Sequence, residues 1–296
     1  MSGVQRIVTV ATITAFFFVA FFGLVLGGSL PRNLHPTRGD QCEPLATDKD
    51  PKAVVLEPQN TWSNWGYLIV GAVILYRSRT LLGTAVGLNL AFEFLFSSLY
   101  HSKLTESMQF IDVAWIYVLL LSLIACATQC VWVVFHDWAG ESGYFLLNSP
   151  PFLTALAIAA ATIGIGILIR VLGPDSTVMT IFLAAVLAVI VSFKYLWKLL
   201  SSLIQIIWPP DPPDWHFVDT IDFILILFFG GIALACRFSD GPDHKLFDWC
   251  VRDEGKLQAH AVWHVTSAFL VLVAYDFFCH YYPEQGRVFA NWFTDD

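Results

Sequence analysis

The sequence predicts an all-α fold, a polytopic membrane helical bundle. Three observations predict it. Of the 296 residues, 56% are hydrophobic and only 14% are charged, where a water-soluble domain carries about 25% charged residues. Apolar runs near the roughly 20 residues needed to cross a bilayer recur along the chain. Between them, prolines and charges gather. The runs lie at about residues 7–28, 61–78, 81–101, 110–134, 152–172, 177–197, 218–237 and 259–279. No internal repeat or low-complexity tract divides them, so residues 1–296 read as one integral, multi-pass membrane domain.

The net charge of −8 argues against nucleic acid as a partner, because that partner asks for a basic stripe. Nothing points to an obligate protein partner. The six cysteines do not make a disulfide framework. Cys126, Cys130, Cys236 and Cys279 fall in or at the ends of spans, where a thiol serves as a small apolar filler. Cys42 and Cys250 fall in loops.

Residues 7–28 carry no charge and follow Arg6. The run is longer than the 7–15 residues of a signal-peptide core, so it reads as an uncleaved extra helix or signal anchor. Residues 29–58 hold Pro31, Pro36, Pro44 and Pro51 and read as a loop. The polar stretch from Glu57 to Asn64 opens the second span. Asn60, Thr61 and Ser63 offer capping oxygens there, and Trp62 suits the interface. So many polar side chains exceed what one cap needs. Tyr76-Arg77-Ser78-Arg79 is a basic turn into the third span.

The third span carries Gly83 and Gly87 at a spacing that suits close helix packing. It also carries Asn89, Glu93, Ser97 and His101, each four residues after the last. Steps of four make one continuous polar stripe. Glu93 lies well inside the bilayer. An ionisable residue there faces the bundle interior, as part of a site or as the partner of another buried polar group. Asp112 opens the fourth span on the side where His101 ends the third. It is either a residue that compensates the helix dipole or a member of the same site. The fifth span is rich in Ala and Gly, and the sixth ends with Lys194 and Lys198. Asp219 and Asp222 begin the seventh on the opposite side from His101. Gln258-Ala-His260-Ala-Val-Trp-His264 opens the eighth.

If each run crosses once, Glu57, His101, Asp112 and His260 all emerge on one face. Arg6, Arg77, Arg79, Lys194 and Lys198 emerge on the other, which reads as cytoplasmic. His260 and His264 stand at i and i+4, on one helical face and about 6 Å apart. This is the spacing by which one helix gives two ligands to a single zinc. His101 can give the third from another helix. Three His and an open position make a catalytic zinc site, with Zn–N near 2.0–2.1 Å. Ser97, one turn inside His101, could orient a water or donate to an oxyanion. Asp112 could orient a ligand or act as general base. The remaining histidines, 35, 136, 216, 244 and 280, lie in loops or at span ends and read as structural.

Two other chemistries use some of these residues. A Ser-His-Asp triad leaves two further His in metal register without a role. A haem held by His101 and His260 leaves Ser97 and Asp112 without one. The chain contains no H-E-x-x-H, G-x-S-x-G, P-loop or C-x-x-C-H.

S-x-x-x-H at Ser97–His101, an Asp eleven residues on at Asp112, and H-A-x-W-H at His260–His264 resemble the alkaline ceramidase family. This family is part of the CREST group of seven-helix membrane hydrolases, which includes the adiponectin-type receptors. The start of the second span, Glu57-x-x-Asn60-Thr61-x-Ser63-Asn64, is also similar to the ceramidase pattern. The short interval from His101 to Asp112 favours the ceramidase branch over the receptors.

The resemblance covers about residues 40–280 and implies a CREST-type core over 57–280. Residues 7–28 then add one N-terminal transmembrane helix. It implies Zn2+ held by His101, His260 and His264. Ser97 and Asp112 would assist attack of a zinc-activated water on the amide of ceramide or a similar N-acyl sphingolipid. The products are a sphingoid base and a fatty acid, and the partner is a membrane lipid. The same architecture also admits another lipid ester or amide substrate, or a receptor-like sensor with a structural zinc. Animal members share an acidic stretch associated with calcium. Asp40-Gln-Cys42-Glu43 matches it in part, with Gln41 in place of Trp. Ca2+ among Asp40, Glu43 and Glu57 is therefore a second expectation. Cys42 and Cys250 would share the zinc's face, where a non-cytosolic setting favours a disulfide between them.

Overall fold

A computed structural model describes residues 3–26, Glu43, Leu45, Ala46, Asp50, and residues 52–78, 81–139, 217–239 and 257–279. The described residues form helices and no strands. Five helical stretches among them are long and apolar enough to cross a membrane: Val4–Leu26, Leu82–Lys103, Glu106–Cys126, Ile221–Ser239 and Ala259–Phe278. This agrees with a multi-pass helical membrane bundle. The spans expected at 152–172 and 177–197 lie outside the described residues. So do Asp40, Cys42, Cys250 and the side chains of the five histidines read as structural.

Helix α1 (Gly3–Ala20) continues as a π-helical turn over Phe21–Leu26. Its polar contact is with the far end of the bundle, where the Arg6 guanidinium donates to the Tyr76 carbonyl at 3.3 Å. Its other end packs Phe17, Phe21 and Val25 into the shared apolar core. Phe21 stacks on Phe94 with ring centroids 5.2 Å apart. Aromatic burial of this kind, at roughly 150–250 Å2 per ring, ties the N-terminal helix to the third span.

The second span is not the single helix expected over 61–78. It is split into α2 (Pro58–Ser63) and α3 (Trp65–Arg77), joined at Asn64. The cause is local. The Asn60 carbonyl accepts from two side chains, Ser63 Oγ at 2.9 Å and Asn64 Nδ2 at 3.0 Å. Side chains that capture a backbone acceptor compete with the helical ladder. The Asn64 N–H turns to the Trp62 carbonyl instead.

Helix α4 (Leu81–Lys103) lies against α3 through glycines. A Cβ at Gly71 would stand 2.8 Å from the Gly87 carbonyl oxygen. Only a hydrogen fits there, as close packing of small residues in membranes requires. Gly87 thus does what its spacing predicts, with Gly71 of α3 as its partner.

Helix α4 ends in a tight turn at Leu104, whose φ of 50° is left-handed. Glycine usually takes that place. Thr105 then caps α5 (Glu106–Ala139), its Oγ1 accepting from the Met108 N–H at 3.4 Å. The helix therefore begins before the apolar run that marks it. Asp112 sits six residues inside α5, beyond the first turn where a dipole is felt. That removes the dipole-compensating reading. Helices α6 (Phe217–Ser239) and α7 (Ala259–Cys279) complete the described bundle. Ile224, Leu227 and Phe228 of α6 are exposed apolar side chains, as a face turned to lipid requires.

Candidate metal centre

The site forms where α2, α4, α5 and α7 end on one face. Main-chain bonds fix the chain before α2 to the end of α4. Leu56 N–H donates to the Ser102 carbonyl at 3.2 Å, and Glu57 N–H to that of His101 at 3.0 Å. Glu57 is thereby delivered to His101. Helix α2 is capped from a distance. Glu43 accepts from the Gln59 N–H at 2.7 Å and the Asn60 N–H at 2.9 Å. Asn60, Thr61 and Ser63, expected to cap this start, do not. Burial pushes the Glu43 carboxyl up to about 7. The two backbone N–H groups oppose the shift and the Glu57 charge adds to it.

His101, His260 and His264 converge as the sequence predicts. One ligand nitrogen from each lies within 4.8 Å of the others, and all three residues are buried. His260 and His264 rings stand 4.5 Å apart, and each is within 5.0 Å of His101.

Two of the rings have their Nδ1 atoms occupied. His101 Nδ1 lies 2.7 Å from Glu57 Oε2. His264 Nδ1 lies 2.8 Å from Ser63 Oγ. A carboxylate cannot donate, so His101 carries its proton on Nδ1. Ser63 gives its single proton to the Asn60 carbonyl, so His264 Nδ1 donates to Ser63 in turn. Both assignments leave a lone pair on Nε2, the arrangement that hydrogen-bond partners on Nδ1 impose on metal-ligating histidines.

The nitrogens also fit an ion by distance. Two nitrogens bound to one tetrahedral ion at 2.0–2.1 Å stand about 3.3 Å apart. His101 Nε2 and His260 Nε2 stand 3.2 Å apart. His264 Nε2 is buried and has no hydrogen-bond partner among the described residues. An acceptor left so in the interior costs about 1–3 kcal/mol, and a cation placed among the three nitrogens removes that cost. The donor set fits a metal ion.

Ser97 and Asp112 also come together here. The Ser97 hydroxyl hydrogen-bonds the Asp112 carboxylate. Both are buried, at 1% and 6% exposure. Asp112 Oδ1 keeps no partner among the described residues. Asp112 and His101 lie within electrostatic range of one another, with Arg237 of α6 near both Asp112 and the α7 histidines. Glu93 continues the stripe inward at 1% exposure, and Asn89 ends it on Ser122 Oγ at 2.7 Å.

Ser63 is the site residue that the sequence reading missed. Its place near the start of the second span reads as that of a cap. The signal that could have found it is the surplus of polar side chains over one cap's needs. Glu57 and Glu43, two of the three residues expected as calcium ligands, contact His101 and the α2 amides; the third, Asp40, lies outside the described residues.

Fold and site together define an integral membrane helical protein with a buried three-histidine centre able to hold a metal ion. Compared with protein-family models, with curated proteins and with solved structures, the chain finds no match.

Proposed function

We propose that the chain is a zinc-dependent intramembrane amidase, hydrolysing ceramide or a similar N-acyl sphingolipid to a sphingoid base and a fatty acid. The observation that carries this reading is the pairing of two arrangements at one bundle end. Three buried histidines converge there, His101 and His264 each with a lone pair left on Nε2, and a buried Ser97–Asp112 pair stands beside them. Three imidazoles with an open position suit zinc. Zinc held there supplies a Lewis acid for the amide carbonyl and acidifies water.

The chain's own groups do the rest. Asp112 Oδ1, unpartnered among the described residues, takes a proton from the attacking water and returns it to the leaving nitrogen, which departs as the amine. Ser97 holds the other carboxylate oxygen in place. Once Asp112 carries a proton, the Ser97 hydroxyl is released to donate to the oxygen of the attacked carbonyl, a stabilisation of the oxyanion-hole type. Glu57 and Ser63 keep His101 and His264 in one tautomer. The location at the end of the spans suits a lipid whose amide lies at the interface and whose tails lie between helices. The three separated motifs shared with alkaline ceramidases support the substrate class.

The test is release of fatty acid from a short-chain ceramide by detergent-purified protein. We expect release that stops with a chelator and returns with added zinc. A zinc-loaded protein that releases nothing would contradict the amidase.

A further inference from the structure

Glu93 has no role in the reaction above. It lies in the middle of α4, 1% exposed, and neither carboxylate oxygen has a hydrogen-bond partner among the described residues. A carboxyl at bilayer depth without partners is costly, and such residues mark functional sites. Two donors near it among the described residues are already committed. The Ser97 hydroxyl, one turn away, goes to Asp112. Tyr67 of α3 is within electrostatic range of both Glu93 and Asp112, and its hydroxyl bonds the Ser267 side chain. Ser267 in turn donates to the Trp263 carbonyl, so Tyr67 spends its one proton on Ser267. Among the described residues, Glu93 is thus a buried hydrogen-bonding group left open, on the same face as the candidate centre.

Its depth identifies the missing partner. At 1.5 Å per residue, Glu93 lies about 6 Å deeper than Ser97 and about 12 Å deeper than His101. A lipid with its amide at the histidines has hydrocarbon chain at that depth. Plain hydrocarbon cannot bond a carboxyl group.

We propose that Glu93 is a recognition residue for a hydroxyl carried along a tail of the bound lipid, several methylenes beyond the amide. This rests on the lipid-amidase reading and narrows its substrate class to amides with an oxygenated chain. A site built around such a bond discriminates against the analogue that lacks it, because the buried group is then left unpaired.

The experiment is a competition, read by mass spectrometry, among N-acyl sphingoid amides of one chain length. The acyl chain is unsubstituted, or hydroxylated beside the carbonyl, in mid-chain, or near the methyl end. Zinc content is measured in parallel for the wild type, Glu93→Gln and Glu93→Leu. Wild type is expected to favour the mid-chain hydroxyl by at least about tenfold. Glu93→Leu should lose that preference at unchanged zinc content, and Glu93→Gln should keep part of it. Equal rates for every chain in the wild type overturn the proposal and leave the amidase standing. So does a positional preference that survives Glu93→Leu. No release from any amide by zinc-loaded wild type overturns the amidase and this proposal together.

Discussion

Removing the carboxylate behind His101 should weaken metal binding by an amount the structure allows to be worked out. The Glu57 Oε2 to His101 Nδ1 contact is 2.7 Å, between side chains 6% and 1% exposed. A hydrogen bond to a charged group is worth about 1.5–3 kcal/mol. At about 1.4 kcal/mol per tenfold, its loss raises the zinc Kd by about 10- to 150-fold. Hydrogen-bond partners behind metal-bound histidines are worth about 10–100-fold, which agrees. Glu57→Gln keeps an acceptor for Nδ1–H, so about tenfold is expected there. Glu57→Ala should approach the upper figure. Ser63→Ala removes a neutral bond of 2.8 Å, worth about 0.5–1.5 kcal/mol, so its loss should cost about 2- to 10-fold. The assay is a competition titration against a chromophoric zinc chelator in detergent, with thermal melting as the control for folding. The order Glu57→Ala, Glu57→Gln, Ser63→Ala is the substance of the prediction. A folded Glu57→Ala that binds zinc within twofold of wild type would refute the reasoning.

Ser97→Ala and Asp112→Asn should lower turnover by at least about 100-fold while zinc stoichiometry stays near wild type; full activity in Asp112→Asn would remove its assigned role. Gly71→Ala should lower thermal stability by about 1–3 kcal/mol, because its Cβ would meet the Gly87 carbonyl at 2.8 Å; an unchanged melting temperature would mean that α3 and α4 separate freely. Glu43 carries a pH dependence. Its folded-state value of about 7 lies above the ordinary 4.5, so folding favours the protonated form. The stability from that shift is fully present below about pH 4.5 and is lost as pH rises to about 7. Melting of wild type against Glu43→Gln should therefore show the wild type losing ground over that window; a flat difference from pH 4.5 to 8 would contradict it.

The parts of the protein legible in the sequence are those set by local chemistry. The runs ending at His101 and beginning at Ala259 are readable because apolar stretches stop at polar residues. The convergence of His101, His260 and His264 followed from counting crossings and from the i,i+4 register. The break at Asn64 was not readable, since it depends on two side chains taking one carbonyl. The start of α5 at Glu106 was hidden because Glu106-Ser107-Met108-Gln109 is too polar to count as span, although Thr105 caps it. Glu43 reaches the α2 amides from 16 and 17 residues away. Ser63 reaches His264 across 201. Partners that distant are set by tertiary packing, which no local pattern encodes.

The central claim is that the three histidines hold one metal ion. Elemental analysis of purified wild type and His264→Ala tests it most directly. About one zinc per wild-type chain is expected, with most of it lost in the variant and helical content preserved. Equal metal content in the two proteins, or none in either after zinc loading, would contradict it.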